Sequence, residues 1–161
     1  MKCRWGIVLL ASFALVACAA PATLDREGTG STSLHEKTIF VIRPSLTSEG
    51  AAASERLANM LADKGISAIY ATPTRRAMET AAPLSKKTGV AISEYDAKNP
   101  ETLVASVAEN DGAVLVVGHS NTVPDLVVRF GGRSQPQMTD QDYGTVFLID
   151  AAGDVHEFIL D

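Results

Sequence analysis

Thr38-Ile39-Phe40-Val41-Ile42-Arg43-Pro44 sets four apolar residues in succession and ends them with a cation and a proline. A strand with one wet face alternates apolar and polar residues, whereas a strand covered by helices on both faces is apolar throughout. The stretch therefore reads as an inner strand of a largely parallel sheet. Val114-Leu115-Val116-Val117 repeats the pattern and is followed by Gly118-His119. Helical periodicity separates the two, which predicts an α/β domain: a three-layer α/β/α sandwich with a mostly parallel central sheet.

Working outward, Thr47 or Ser48 is expected to cap a helix running to Lys64. Ala53, Leu57, Met60 and Leu61 share one of its faces, and Gly65 stops it. Ala68-Ile69-Tyr70-Ala71 is a short strand leading into a helix over 74–87, where Pro83 is expected to kink the helix or open a new first turn. Val90-Ala91-Ile92-Ser93 reads as a strand, and 100–110 as a helix opening on Pro100. A last helix over 122–130 ends at Gly131-Gly132. Thr145-Val146-Phe147-Leu148-Ile149 and Val155-His156-Glu157-Phe158-Ile159-Leu160 are joined across 150–154 as an antiparallel C-terminal hairpin. There is no internal repeat.

The N-terminus has a different character. Lys2 and Arg4 precede an uncharged run over 5–17, too short to span a bilayer comfortably as a helix of about 20 residues. Leu15-Val16-Ala17-Cys18 closes it with small residues before a thiol, and resembles the cleavage site of bacterial lipoproteins, in which the cysteine is lipidated. The expected organisation is a signal peptide over 1–17, a flexible tether over 18–37 and a folded domain over 38–161. Gly28-Thr29-Gly30-Ser31-Thr32-Ser33 gives the tether its small, polar composition. Ala19 resembles the residue found after the cysteine in lipoproteins sent to the outer membrane, which implies a cell-envelope protein of a Gram-negative-type bacterium, facing the periplasm. An uncleaved anchor, or cleavage near Ala20, is the competing reading.

Composition narrows the function. The chain carries 14 basic and 19 acidic residues; loss of Lys2 and Arg4 leaves 12 basic residues and a net charge of −7. An acidic chain without a basic cluster is a poor partner for nucleic acid, or for an anionic membrane surface except through a lipid. With Cys3 lost and Cys18 lipidated, no disulfide is available. His35, His119 and His156 are scattered without ligand spacing, so no metal or other cofactor is expected.

In open α/β sheets ligands sit beyond the C-terminal ends of the strands. Arg43, Arg75 or Arg76, and His119 are all predicted there. Two guanidiniums and an imidazole at one end of a sheet suit phosphate, because arginine presents a planar fork of donors. Taken singly, each has a plainer explanation: a solvated arginine at a helix start, a structural histidine. Their shared position favours a site.

Four segments carry a closer likeness. They are Thr38-Ile-Phe-Val-Ile-Arg43; Leu46-Thr-Ser-Glu-Gly50 with Ala53, Arg56 and Leu57; Ile69-Tyr-Ala-Thr-Pro-Thr-Arg-Arg76-Ala-Met-Glu-Thr-Ala81; and Val114-Leu-Val-Val-Gly-His119-Ser-Asn-Thr122. In order and spacing the chain resembles the histidine phosphatase, or phosphoglycerate-mutase-like, superfamily, especially its small bacterial single-domain members. The resemblance implies that Arg43, Arg76 and His119 bind phosphoryl oxygens. It makes Asp96 the nearest candidate for the acid that protonates the leaving oxygen, although a solvated loop carboxylate is an equal reading.

The sequence departs from that family at Pro44, where the resemblance requires the histidine that takes the phosphoryl group. Proline has no lone pair or exchangeable proton to offer, so covalent transfer through this position is excluded if the match holds. His35 lies eight residues before Arg43, about 26 Å away along a strand rising about 3.3 Å per residue. Ser45 is close but has no evident base. The expectation is a degenerate member that holds phosphate or a small phosphorylated ligand with little or no hydrolysis. Two alternatives stay open: an active phosphomonoesterase or phosphohistidine phosphatase with a relocated nucleophile, and a non-catalytic partner-binding envelope protein.

Overall fold

The computed structural model describes residues 37–44, 50–133, 136, 138–139 and 142–160. Strand β1 (Ile39–Ile42) runs between β4 (Ala113–Val117), parallel to it, and β5 (Thr145–Ile149), antiparallel to it. Every residue of β1 and β4 is buried, as unbroken apolar runs require when both faces of a sheet are covered. With β2 (Ile66–Ala71), β3 (Ile92–Glu94) and β6 (Val155–Ile159), they form one six-stranded sheet in the order β3-β2-β4-β1-β5-β6. The pairs from β3 to β1 are parallel, and the β5-β6 hairpin supplies the antiparallel margin.

The period-two alternation of a strand divides the core. Phe40, Ile42, Leu115 and Val117 pack with residues of α1 (Gly50–Leu61) and α2 (Arg75–Thr88), among them Leu57, Leu61, Ala77 and Leu84. Ile39, Val41, Val114 and Val116 pack with Leu103 and Val107 of α3 (Pro100–Ala108) and with Val123 and Leu126 of α4 (Val123–Arg129). The result is the three-layer α/β/α sandwich expected of the sequence. Among the described residues no helix is long and apolar enough to cross a membrane.

Local chemistry explains the element boundaries. Thr74 caps α2, accepting from the Ala77 N–H, and Gly89 closes it at φ 76°, donating to the Ser85 carbonyl. Pro83 lies inside α2 without ending it. Strand β2 starts two residues before the expected Ala68, because a register shift between Ile66 and Ala68 absorbs the exposed Ser67. Strand β3 starts at Ile92 rather than Val90 and pairs only with the end of β2. The expected Thr47 or Ser48 cap lies outside the described residues, as do Cys18, His35 and the other residues of the proposed signal, and all of the tether before Lys37.

The order of elements decides where a crevice opens. β1 and β4 are neighbours, yet α1, which follows β1, covers one face of the sheet while α4, which follows β4, covers the other. Chains that leave adjacent parallel strands toward opposite faces part beyond the strand ends, and ligands of open α/β sheets bind in that gap. Arg43-Pro44 and Gly118-His119 stand at its two sides.

Candidate functional site

Gly118 continues the ladder one residue past β4, donating its N–H to the Ile42 carbonyl at 3.0 Å. A Cβ at this glycine would lie 3.2 Å from each of Thr122 Oγ1, Tyr95 Oη and Val123 Cγ2, closer than ordinary contact. Glycine thus lets β4 end directly on the Tyr95 hydroxyl, which donates to the Val117 carbonyl at 3.4 Å. Burial pushes the Tyr95 phenol up to about 12, against a smaller opposing effect from Thr122, so it keeps its proton. The next residue, His119, is held at its backbone: its N–H donates to Thr122 Oγ1 at 3.0 Å, and its carbonyl accepts from Val123 N at 2.8 Å as α4 begins.

The His119 ring is half-buried, with Nε2 2.9 Å from Thr72 Oγ1. Burial, and then the positive charge of Arg76, lower its pKa from the usual value. The imidazole is therefore neutral at pH 7. Arg76, the second residue of α2, is half-buried, and its Nε is buried without a hydrogen-bond partner among the described residues. A buried guanidinium N–H left unpaired costs stability unless something accepts from it. Arg75, the other candidate of the pair, is exposed and bound to Glu79 at 2.7 Å. The structure therefore separates the two: Arg76 faces His119, and Arg75 faces water.

Arg43 is 5% exposed. Its backbone is clamped to the start of β5, its N–H donating to the Thr145 carbonyl and its carbonyl accepting from Gly144 N, both at 3.3 Å. Its Nη1 donates to the Thr139 carbonyl at 2.5 Å, and the guanidinium lies over the Tyr143 ring, 4.3 Å from the centroid. Pro44 follows it, buried. Arg43 and His119 thus occupy the ends of paired strands, but the Arg43 guanidinium contacts Thr139 and Tyr143 in the segment before β5.

Asp96 is not drawn into this group. It is exposed, and its carboxylate accepts from the Lys98 N–H at 2.9 Å in a local turn. With Glu94, Tyr70 and the start of α3 it lines a cavity of about 210 Å³ whose walls include neither Arg76 nor His119. The solvated-loop reading of this carboxylate accords with its position. His156 lies exposed on β6 with Nε2 3.1 Å from Asp150 Oδ2, a surface pair. Among the described residues no group of three or more His, Cys, Asp or Glu side chains stands close enough to hold a metal ion.

Sequence reasoning missed Thr72, Thr139 and Tyr143. Thr72 reaches His119 because β2 and β4 are paired at Ala71 and Val117. Tyr143 reaches Arg43 because β5 pairs with β1. Neither adjacency can be read without the strand order.

The family model of the histidine phosphatase superfamily (branch 1) matches residues 30–98. The fold is similar to that of the protein histidine phosphatase SixA solved with tungstate (20% identity, 75% of this chain and 94% of that chain, TM-score 0.54). It is also similar to a mycobacterial glucosyl-3-phosphoglycerate phosphatase (11% identity, 76% and 97%, TM-score 0.59) and to phosphoglycerate mutase from Plasmodium falciparum (21% identity, 76% and 88%, TM-score 0.50). No curated protein matches the sequence. The matched segment and the shared fold both accord with the resemblance of the sequence to the histidine phosphatase superfamily.

Proposed function

We propose that the protein binds phosphate, or the phosphoryl group of a small ligand, at the ends of β1, β2 and β4, and that it does not hydrolyse it by the family's phosphohistidine route. The observation that carries the reading is Arg76: a permanent cation beside His119 whose buried Nε–H lacks an acceptor among the described residues. An oxyanion supplies such an acceptor, and Arg43 and His119 add donors from the neighbouring strand ends. The tungstate complex of a protein of the same fold supports an oxyanion as the ligand class. The missing attack follows from Pro44, which stands directly after Arg43 and has no group able to accept a phosphoryl.

The site belongs, in this reading, to a lipoprotein. Lys2, Arg4, the apolar run over 5–17 and Cys18 supply an export signal and a lipid-bearing thiol. Membrane contact is then through the N-terminal lipid, with the domain in the periplasm.

Calorimetric titration with orthophosphate and with tungstate, paired with an assay of aryl phosphate hydrolysis, tests the proposal. Saturable binding that Arg76→Ala abolishes, with no release above a boiled control, supports it. Release that His119→Ala abolishes overturns it in favour of a working phosphomonoesterase.

A further inference from the structure

We infer that Thr72 is a positioning residue for His119: it donates to Nε2, fixes the proton of the neutral ring on Nδ1, and so makes the imidazole an N–H donor toward an oxyanion. The ligand half rests on the anion-binding reading, whereas the tautomer half stands on the hydrogen bonds alone.

Three contacts form a line from the start of α2 to the ring. The Ala77 N–H donates to Thr74 Oγ1 at 3.4 Å; Thr74 Oγ1 is 3.3 Å from Thr72 Oγ1; and Thr72 Oγ1 is 2.9 Å from His119 Nε2. A backbone N–H can only donate. Thr74 therefore spends a lone pair on Ala77 and retains its proton for Thr72, and Thr72 in turn retains its proton for the ring. In this direction every hydroxyl proton has an acceptor. The opposite direction would start from Nε2–H and bring two donors onto Thr74, leaving the Thr74 proton with no acceptor among the described residues.

Electrostatics favours the same direction. The start of a helix carries a partial positive charge from its unpaired N–H groups, and Nε2 faces the start of α2 through Thr72 and Thr74. The lone pair of the imidazole, rather than its N–H, is stabilised on that side. Nδ1 has no hydrogen-bond partner among the described residues, and it is the atom that this tautomer leaves protonated. Thr72 is itself well fixed: it is 2% exposed, its N–H donates to the Val117 carbonyl at 3.4 Å, and its carbonyl accepts from Thr74 N at 2.7 Å. A neutral N–H donor favours a ligand atom that only accepts, which is what an ionised phosphoryl oxygen offers.

The test is the tautomer of His119 in the full protein labelled with ¹⁵N-histidine, read from long-range ¹H–¹⁵N correlations at a pH where the ring is neutral. The variants are Thr72→Val, which keeps the volume and removes the hydroxyl, and Thr72→Ser, which restores it. The expected result is an Nδ1–H ring in wild type and in Thr72→Ser, and a mixture of both forms in Thr72→Val. For orthophosphate, Thr72→Val should raise Kd about three- to tenfold, the worth of one hydrogen bond, and Thr72→Ser should recover it. An Nε2–H ring in wild type, or an unchanged ring in Thr72→Val, overturns the inference. Should the tautomer respond as expected while no form binds orthophosphate, the positioning role is upheld and the anion-binding reading is what fails.

Discussion

Arg43 lies with its guanidinium over the ring of Tyr143, 4.3 Å from the centroid, while its Nη1 donates to the Thr139 carbonyl. The cation at the end of β1 is therefore held by residues about a hundred positions later in the chain, brought there by the pairing of β1 with β5. Tyr143→Ala removes the ring. At a guanidinium this buried the loss should cost about 1–2 kcal/mol of stability, read as a lower urea midpoint, and should weaken phosphate binding by releasing Arg43. Tyr143→Phe keeps the face of the ring and should keep both properties.

His119 gives the protein a defined pH response. Its pKa in the folded state lies below the ordinary 6.5 because of burial and Arg76. The unfolded chain thus takes up this proton more readily than the folded one. The stability tied to His119 is complete above about pH 6.5 and is lost as pH falls from there through the lowered folded value. Urea midpoints measured from pH 8 to pH 5 should fall in acid for wild type, and His119→Gln should flatten that part of the profile. Arg76→Ala removes the second cause and should raise the His119 pKa, as followed by NMR.

A single methyl added at Gly118 should be felt next to His119. A Cβ there meets Tyr95, Thr122 and Val123 at 3.2 Å, and Thr122 in turn holds the His119 backbone. Gly118→Ala should destabilise the fold by about 1–3 kcal/mol, the usual cost of overfilling a packed site. Tyr95→Phe in the same chain removes one of the three close atoms and should recover part of the loss, which a double-mutant cycle in urea would measure.

The reading of Cys18 as a lipidated residue is checked by fractionation. With the native leader, the protein should sediment with membranes and release into the soluble periplasm on Cys18→Ser. Equal membrane retention of the two forms would contradict the lipid anchor.

The layers of this fold were legible in the sequence because the signals were strong. Four successive apolar residues before Arg43 and four before Gly118 can hardly be anything but inner strands, and the hairpin across 150–154 carries its own turn residues. Strand β2 was misplaced at its start because Ser67 breaks the pattern, and no sequence rule announces the register shift that accommodates it. Arg43, Arg76 and His119 could be placed at the strand ends from sequence because each follows a strand or opens a helix. Thr72 and Tyr143 were not, since a threonine after a strand and a tyrosine before one are unremarkable until the order β3-β2-β4-β1-β5 sets them beside His119 and Arg43. Asp96 was proposed by likeness alone, and its local turn gives it a simpler role.

The central claim is that Arg76 and His119 hold a phosphoryl anion at a site that has lost its nucleophile. Titration with orthophosphate while following the His119 ring resonances tests it most directly. The account predicts a saturable shift with the ring pKa rising as the anion binds, the same response absent in Arg76→Ala, and no loss of an aryl phosphate in the same tube by ³¹P NMR. A His119 ring that ignores orthophosphate in wild type, or steady hydrolysis of the aryl phosphate, would contradict it.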